Sequence, residues 1–317
     1  MEPQKILVTG SSGLIGTAVC AVLLSRGKHV RRFDVADQRG GFGSILSPTD
    51  LKSAMKDCIG VIHLAAVSRV IWGEHDPHRC HETNVGGTRN IIDCIFASNP
   101  KPWLIFGSSR EVYGQCASQP VIEDTPLRPM NHYARSKVEA EQAIERGRDA
   151  GLRASVLRFS TVYGAITDHA DRVIPQFCRA ALADRRIRVE GATNTLDITH
   201  VADVADCIAN VANALSQGSS FEPMHLTTGR ATSLQSLAQT VVRLVRSKSE
   251  IIVKEPRNFD VHSFVGDPQL AKMRIGWQPK TPLETGIEKL ISQFLESGSG
   301  DWRKDKGLPC WIEPLIN

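Results

Sequence analysis

The run Thr9-Gly10-Ser11-Ser12-Gly13-Leu14-Ile15-Gly16 follows the apolar segment Ile6-Leu7-Val8 and opens a helical pattern, Leu14 to Ser25, that closes at Gly27. Glycines spaced G-x-x-G-x-x-G between a strand and a helix allow a tight turn and a close approach of backbone to an anion. The free N–H groups and the positive end of the helix then hold that anion. The spacing differs by one residue from the G-x-G-x-x-G dinucleotide fingerprint but occupies the same place, the chain's first βα unit. A dinucleotide site is therefore expected, with Gly10, Ser12, Gly13, Leu14, Ile15 and Gly16 at the pyrophosphate. Asp34 ends the second strand, 18 residues after Gly16. Its carboxylate suits the ribose hydroxyls and repels a 2′-phosphate, which favours NAD over NADP. Arg31-Arg32 is the competing feature, since a guanidinium turned toward the ribose would favour NADP.

Short apolar runs continue to alternate with helical patterns. Strands are expected at Val30–Phe33, Val61–Leu64, Leu104–Phe106 and Ala154–Phe159. Helices are expected at Asp50–Lys56, Thr88–Ala97 and Tyr133–Arg146. Such alternation predicts an α/β fold: a Rossmann doubly wound parallel sheet, its strands buried on both faces. After Gly164 the pattern loosens, with helices expected at Pro175–Ala183, Asp203–Leu215, Ser233–Val245 and Pro282–Leu295. Strands are expected at Ile187–Val189 and Ile251–Val253. The predicted organisation is a dinucleotide-binding domain over 1–165, completed by about 196–228. A smaller mixed α/β substrate domain would span 166–195 and 229–298. The tail, 299–317, has no periodicity, although Trp302 and Trp311 offer means of docking it.

Composition narrows the class. Among 317 residues, 41% are hydrophobic and 23% charged, with a net charge of +4. That excess is too small and too scattered for a nucleic-acid surface. Eight cysteines form no C-x-x-C pair and match no zinc spacing. Free thiols in apolar runs fit a reducing cytosol. No run reaches the roughly 18 apolar residues that cross a bilayer, and the N-terminus enters a strand without a leader pattern. A cytoplasmic enzyme without membrane or nucleic-acid partners is expected.

Tyr133-Ala134-Arg135-Ser136-Lys137 places a phenol and an amine four apart, on one helical face. A nearby cation favours the phenolate and is expected to lower the tyrosine pKa toward neutrality. Ahead of it, Gly107-Ser108-Ser109-Arg110-Glu111-Val112-Tyr113-Gly114 follows a buried strand at its carboxyl end, where open α/β sheets bind ligands. A serine hydroxyl there can hold a substrate oxygen.

Taken in order, these segments resemble the extended short-chain dehydrogenase/reductase family, in particular the nucleotide-sugar epimerases and dehydratases. The resemblance runs from about Lys5 to Leu295. It also rests on His63-Leu64-Ala65-Ala66, Asn84-Val85-Gly86-Gly87-Thr88, Leu157 to Gly164, Asp197 to Ala205, and Gly276-Trp277-Gln278-Pro279. It implies Tyr133 as acid/base, Lys137 as its cationic partner and a ligand of the nicotinamide ribose, Ser109 as hydroxyl binder and Glu111 as a further catalytic group. It implies NAD as cofactor, bordered also by Ser44, Ile45, Leu64, Ala65, Ala66, Asn84, Ser108 and Phe159. It implies a nucleotide sugar, most simply a UDP-sugar, bordered by Ser68, Ser109, Arg110, Thr161 and Arg257. A homodimer joined through Thr88–Ala97 and Tyr133–Arg146 is also implied.

Departures refine the activity. The related 4,6-dehydratases carry Asp-Glu where this chain has Arg110-Glu111, and arginine cannot donate a proton at physiological pH. Glucuronate decarboxylases keep the glutamate after a serine, which leaves a decarboxylase open with Arg110 as carboxylate ligand. A 4-epimerase needs only Tyr, Ser and NAD, and is the preferred reading, acting through a 4-keto sugar. Decarboxylase, dehydratase and 4-keto reductase are the enzymatic alternatives; an NAD-binding regulatory protein is the non-enzymatic one. The family usually has Asn at Thr161 and Arg at Leu196, both of which hold the sugar nucleotide. Arg257, in Arg257-Asn258-Phe259-Asp260-Val261, resembles a diphosphate-binding run. The Arg185–Arg188 cluster is a candidate for the charge missing at Leu196.

Overall fold

The computed structural model describes residues 4–37, 40–257 and 261–297. The tail with Trp302 and Trp311, and Asn258, Phe259 and Asp260, lie outside the described residues. In the first half the chain forms β1 (Lys5–Thr9), α1 (Leu14–Ser25), β2 (His29–Phe33), α2 (Pro48–Met55), β3 (Cys58–His63), α3 (Val70–His75), α4 (Pro77–His81), α5 (Gly87–Phe96), β4 (Trp103–Ser109), α6 (His132–Asp149) and β5 (Ala154–Phe159). The second half adds β6 (Thr161–Tyr163), α7 (Val173–Leu182), β7 (Ile187–Glu190), β8 (Thr195–His200), α8 (Val201–Ser216), β9 (Met224–Leu226), β10 (Ala231–Ser233), α9 (Leu234–Val245), β11 (Ile251–Lys254), α10 (Gln269–Ile275) and α11 (Leu283–Glu296).

The main sheet has the order β2-β1-β3-β4-β5-β9, with every pairing parallel. This is the Rossmann-type α/β arrangement the alternation predicts. The strand order reverses about β1, so the crevice at the carboxyl ends of β1 and β3 is where a ligand fits. Each face of the sheet carries its own core. On one, Val19, Cys20 and Leu23 of α1 meet Val204, Ile208 and Val211 of α8. On the other, Leu51, Ile91, Ile95, Ala140 and Ile144 pack from α2, α5 and α6. A smaller mixed part holds β10-β8-β6 and β11-β7 around Phe177, Leu237, Val241 and Phe294.

Helix ends follow local chemistry. Ser47 caps α2 through the Asp50 amide with Pro48 in the first turn, and Asn131 caps α6 through the Ala134 amide. The sequence pattern missed α3 and α4. With six and five residues they are too short for an apolar stripe to show. It also missed β6, β8, β9 and β10, of which β6, β9 and β10 have three residues each, too few for a period to show. A wide helical turn, Glu82–Gly86, joins α4 to α5 and turns Asn84 inward.

Helix α6 is tied to the sheet by a buried ion pair. Arg158 on β5 donates to Glu141 at 2.7 Å, with both side chains under a tenth exposed. Ser108 on β4 donates to the same carboxylate. Arg158 reaches on to the Tyr113 hydroxyl at 2.6 Å, which bonds His225 on β9 at 2.6 Å. Removing one partner of such a pair leaves a buried charge uncompensated. We expect Glu141→Gln to cost about 3–5 kcal/mol, measured as a lowered urea midpoint with an unchanged slope.

Candidate active site

The glycine turn is shaped by close backbone packing. Gly10 has φ of +68°, and a Cβ on it would lie 2.6 Å from the Ala65 nitrogen. A Cβ on Gly16 would lie 2.0 Å from the Gly10 carbonyl oxygen. These two positions therefore require glycine so that α1 starts tight against β1. The N-cap of α1 is Gly13, with no side-chain cap and no acidic residue in the first turn. Amides at that end are left for an anion. Asp34 follows β2 directly and accepts from the Ser12 amide at 2.9 Å, so the carboxylate and the turn are joined.

Neither competing arginine is turned out as a free cation. Arg31 donates to the carbonyls of Ser53, Ala54 and Lys56 at the end of α2. Arg32 pairs with Asp37 at 3.0 Å and donates to the Ser11 carbonyl at 2.9 Å.

Behind the turn, buried polar groups set the backbone. His63 lies between Thr9 Oγ1 at 2.8 Å and Thr88 Oγ1 at 3.1 Å. Thr88 donates its own proton to the Asn84 carbonyl, so His63 donates from Nε2 and accepts at Nδ1. Burial pushes its pKa down to about 3, and the ring is neutral. Asn84 accepts from the Val67 amide at 2.8 Å and donates back to the Val67 carbonyl at 3.1 Å. Asn84 thus orders the strand-end segment Ala65–Ser68.

A cleft of about 650 Å³ opens over the carboxyl ends of these strands. Its floor includes the glycine turn, Leu64, Ala66 and Phe159. Its centre holds Ser68, Ser108, Ser109, Arg110, Glu111, Tyr133 and Lys137, and its far wall Thr161, Leu196 and Arg257. Ser12, Asp34, Ala65 and Asn84 stand behind this lining. Ser44 and Ile45 stand further off: Ser44 bonds Asp50 and Leu46, while Ile45 is buried against Gly87. Ser108 lines the cleft, but its hydroxyl is committed to Glu141.

The reacting groups converge as the spacing predicts. Tyr133 hydrogen-bonds the Ser109 side chain. Lys137 donates to the Gly107 carbonyl at 2.8 Å and sits 6.0 Å from the Tyr133 ring centre. The expected drop in the tyrosine pKa is not found. Burial pushes Tyr133 up to about 12, outweighing the Ser109 hydrogen bond and the Arg172 charge that act downward. Burial also pushes Lys137 down to about 8. Glu111 is fully engaged, with Arg110 at 3.0 Å on one oxygen and Asn131 donating at 3.3 Å to the other.

Residues 6–226 match the model of the NAD-dependent epimerase/dehydratase family. The chain belongs to this family. It is 28% identical to a putative UDP-glucose 4-epimerase of Methanocaldococcus jannaschii, across 90% of this chain and 97% of that one. It is 28% identical to UDP-glucuronate 4-epimerase 4 of Arabidopsis thaliana, across 93% of this chain and 76% of that one. UDP-glucose 4-epimerase of Thermotoga maritima, solved with UDP-glucose, aligns with a TM-score of 0.86 at 26% identity, covering 93% of this chain and 100% of that one. An NAD-dependent family fits the uncapped start of α1, the carboxylate after β2 and the buried Lys137.

Several cleft residues carried no signal in the sequence. Arg69, Trp72, Asp168, Asp171, Arg172 and Glu190 all line it. All but Glu190 belong to segments without helix or strand period around residues 68–72 and 164–172. The Arg185–Arg188 cluster divides: Arg186 pairs with Glu250 on the exterior, while Arg188 reaches Glu190 at 2.7 Å in the cleft wall. Arg257 lies 3.6 Å from the same Glu190. Asp197, buried, accepts from Thr228 and Gly229 and holds that turn.

Lys137 gives a pH signature. Its folded pKa of about 8 lies below the ordinary 10.5, so the unfolded chain binds more protons between those values. Stability therefore rises with pH across that window. In protein without added NAD, we expect the urea-unfolding free energy of wild type to gain on that of Lys137→Met between pH 8 and 10.5. A difference that stays flat would rule out the lowered pKa.

Proposed function

We propose that this family member is a nucleotide-sugar 4-epimerase that takes a UDP-sugar and acts through a 4-keto intermediate. The observation that carries the reading is the convergence of Ser109, Tyr133 and Lys137 in one cleft while the neighbouring acid, Glu111, is locked by Arg110 and Asn131. NAD, when bound, supplies reversible two-electron oxidation at a carbinol carbon. Gly10, Gly13 and the first turn of α1 would hold its pyrophosphate, Asp34 its adenosine ribose, and Lys137 its nicotinamide ribose.

The chain's own residues move and hold the proton. Ser109 and Tyr133 stand side by side, so a sugar hydroxyl placed between them meets a donor and an acceptor together. A phenol at about 12 is a weak base, and a cation beside it lowers that value. The cationic end of bound NAD and the Lys137 ammonium are the charges available for this. Tyr133 takes the hydroxyl proton as the carbonyl forms and returns it as the carbonyl is reduced. Epimerisation needs no further acid. A dehydratase needs a proton donor for the leaving hydroxyl, and Arg110 and the committed Glu111 offer none.

Two coarser features fit. We take residues 1–165 with about 196–228 as the cofactor unit and the remainder to 298 as the substrate unit. We also infer a cytoplasmic homodimer. A groove of about 300 Å³ between α5 and α6, bordered by Ile92, Phe96 and Ala143, supports the pairing face. The seven described cysteines are free thiols, which supports a reducing compartment. Among the described residues no helix is long and apolar enough to cross a membrane.

Tyr133→Phe tests the reading. Interconversion of UDP-glucose and UDP-galactose, followed by NMR, is expected to fall by about 10²–10⁴-fold in kcat, with NAD binding retained. Turnover that survives loss of the hydroxyl would remove Tyr133 from the chemistry. Loss of turnover with retained NAD would exclude the binding-only alternative.

A further inference from the structure

The far wall of the cleft is charged along β7. The strand alternates: Ile187 and Val189 are buried in the core of the smaller part, while Arg188 and Glu190 line the cleft. Its partner β11 runs parallel to it, with Ile252 beside Arg188 and Lys254 beside Glu190. Just past the end of β11 the chain brings Arg257 to the same place. The Arg188 guanidinium pairs with Glu190 Oε1 at 2.7 Å, and Arg257 Nε lies 3.6 Å from Glu190 Oε2. One carboxylate thus serves two guanidiniums, one on each of its oxygens.

All three groups are within reach of a ligand. The side chain of Arg188 is 64% exposed, that of Arg257 44% and that of Glu190 30%. Leu196 and Leu234, which also line the cleft, bring no charge. A guanidinium presents paired N–H donors that match the oxygens of a phosphate. Two of them set on opposite oxygens of one small carboxylate are close enough to be bridged by a diphosphate. The diphosphate brings more charge and more acceptor oxygens than the carboxylate does. Exposed ion pairs are weak, so exchanging Glu190 for such an anion costs little.

We propose that Arg188 joins Arg257 in a clamp on the diphosphate of the nucleotide sugar, and that Glu190 is the built-in anion that competes for both guanidiniums and sets how tightly the clamp holds. The inference rests on the nucleotide-sugar reading above and assigns the residues that grip the charged part of that substrate. With the diphosphate on this wall, the sugar extends along the cleft toward Ser109 and Tyr133 at its centre. Glu190 acts here by opposition: it keeps the two arginines in place and lowers the affinity of any anion that takes them.

The test measures UDP binding to the NAD-loaded protein by calorimetry, for wild type, Arg188→Gln and Glu190→Gln. Arg188→Gln is expected to weaken UDP by about tenfold, the loss of one charge-assisted contact. Glu190→Gln is expected to tighten it by about threefold, the release of an exposed competing charge. Opposite responses from two neighbours on one strand are what a merely structural role would not give. If Arg188→Gln leaves UDP binding where it was, or if Glu190→Gln fails to tighten it, the proposal is overturned, while binding of UDP by wild type keeps the nucleotide-sugar reading. If wild type does not bind UDP, the UDP-sugar reading fails, and inorganic pyrophosphate decides the clamp by itself. Pyrophosphate binding that Arg188→Gln weakens and Glu190→Gln strengthens supports it, and absent or unchanged binding ends it.

Discussion

Two turns of α6 are hydrogen-bonded to adjacent residues of β4, and the rest of the site takes its position from that seam. Lys137 meets the Gly107 carbonyl and Glu141 the Ser108 hydroxyl, while Tyr133 stands beside Ser109. The four-residue spacing on the helix puts all three donors or acceptors on one face. The strand end supplies their partners one residue at a time. Because Glu141 also holds Arg158, the helix is registered against two adjacent strands, and the reacting phenol inherits that register.

The seam is costly to assemble. It buries an ammonium, a phenol and an ion pair beneath the cleft, and burial shifts the first two away from their ordinary titration in opposite senses. In the folded chain the tyrosine is therefore held protonated, and the lysine gives up its proton more readily than a solvated one. The site is arranged for charge that arrives with its ligands, rather than tuned in advance. The expectation of an already acidic tyrosine fails for this reason: proximity of a cation was counted, and loss of solvent was not.

Much of this was legible in residues alone. The glycine turn, Asp34 and the Y-x-x-x-K pair depend on local spacing, and β1, β3, β4 and β5 are buried on both faces, so their apolar runs announce them. Helices α1, α8 and α9 were found within two residues of their ends. Legibility failed where a segment owes its shape to several neighbours at once. Helices α3 and α4 have no stripe, and the three-residue strands have no period. Arg69 and Asp171 sit in stretches whose meaning is their pairing across a hundred residues, which spacing does not encode. Ser44 and Ile45, carried over from the resemblance, also serve the packing of α2 and α5.

The bond from the Ser12 amide to Asp34 has a bearing on how such a chain can change. The carboxylate proposed to read the adenosine ribose is also a strut of the glycine turn proposed to cradle the phosphates. Replacing it to admit a phosphorylated ribose would at once unfasten the loop, and Arg32, already engaged by Asp37 and the Ser11 carbonyl, is not idle to take over. Cofactor preference here is a property of a small mechanical assembly, so evolution or engineering must move at least two of its members together.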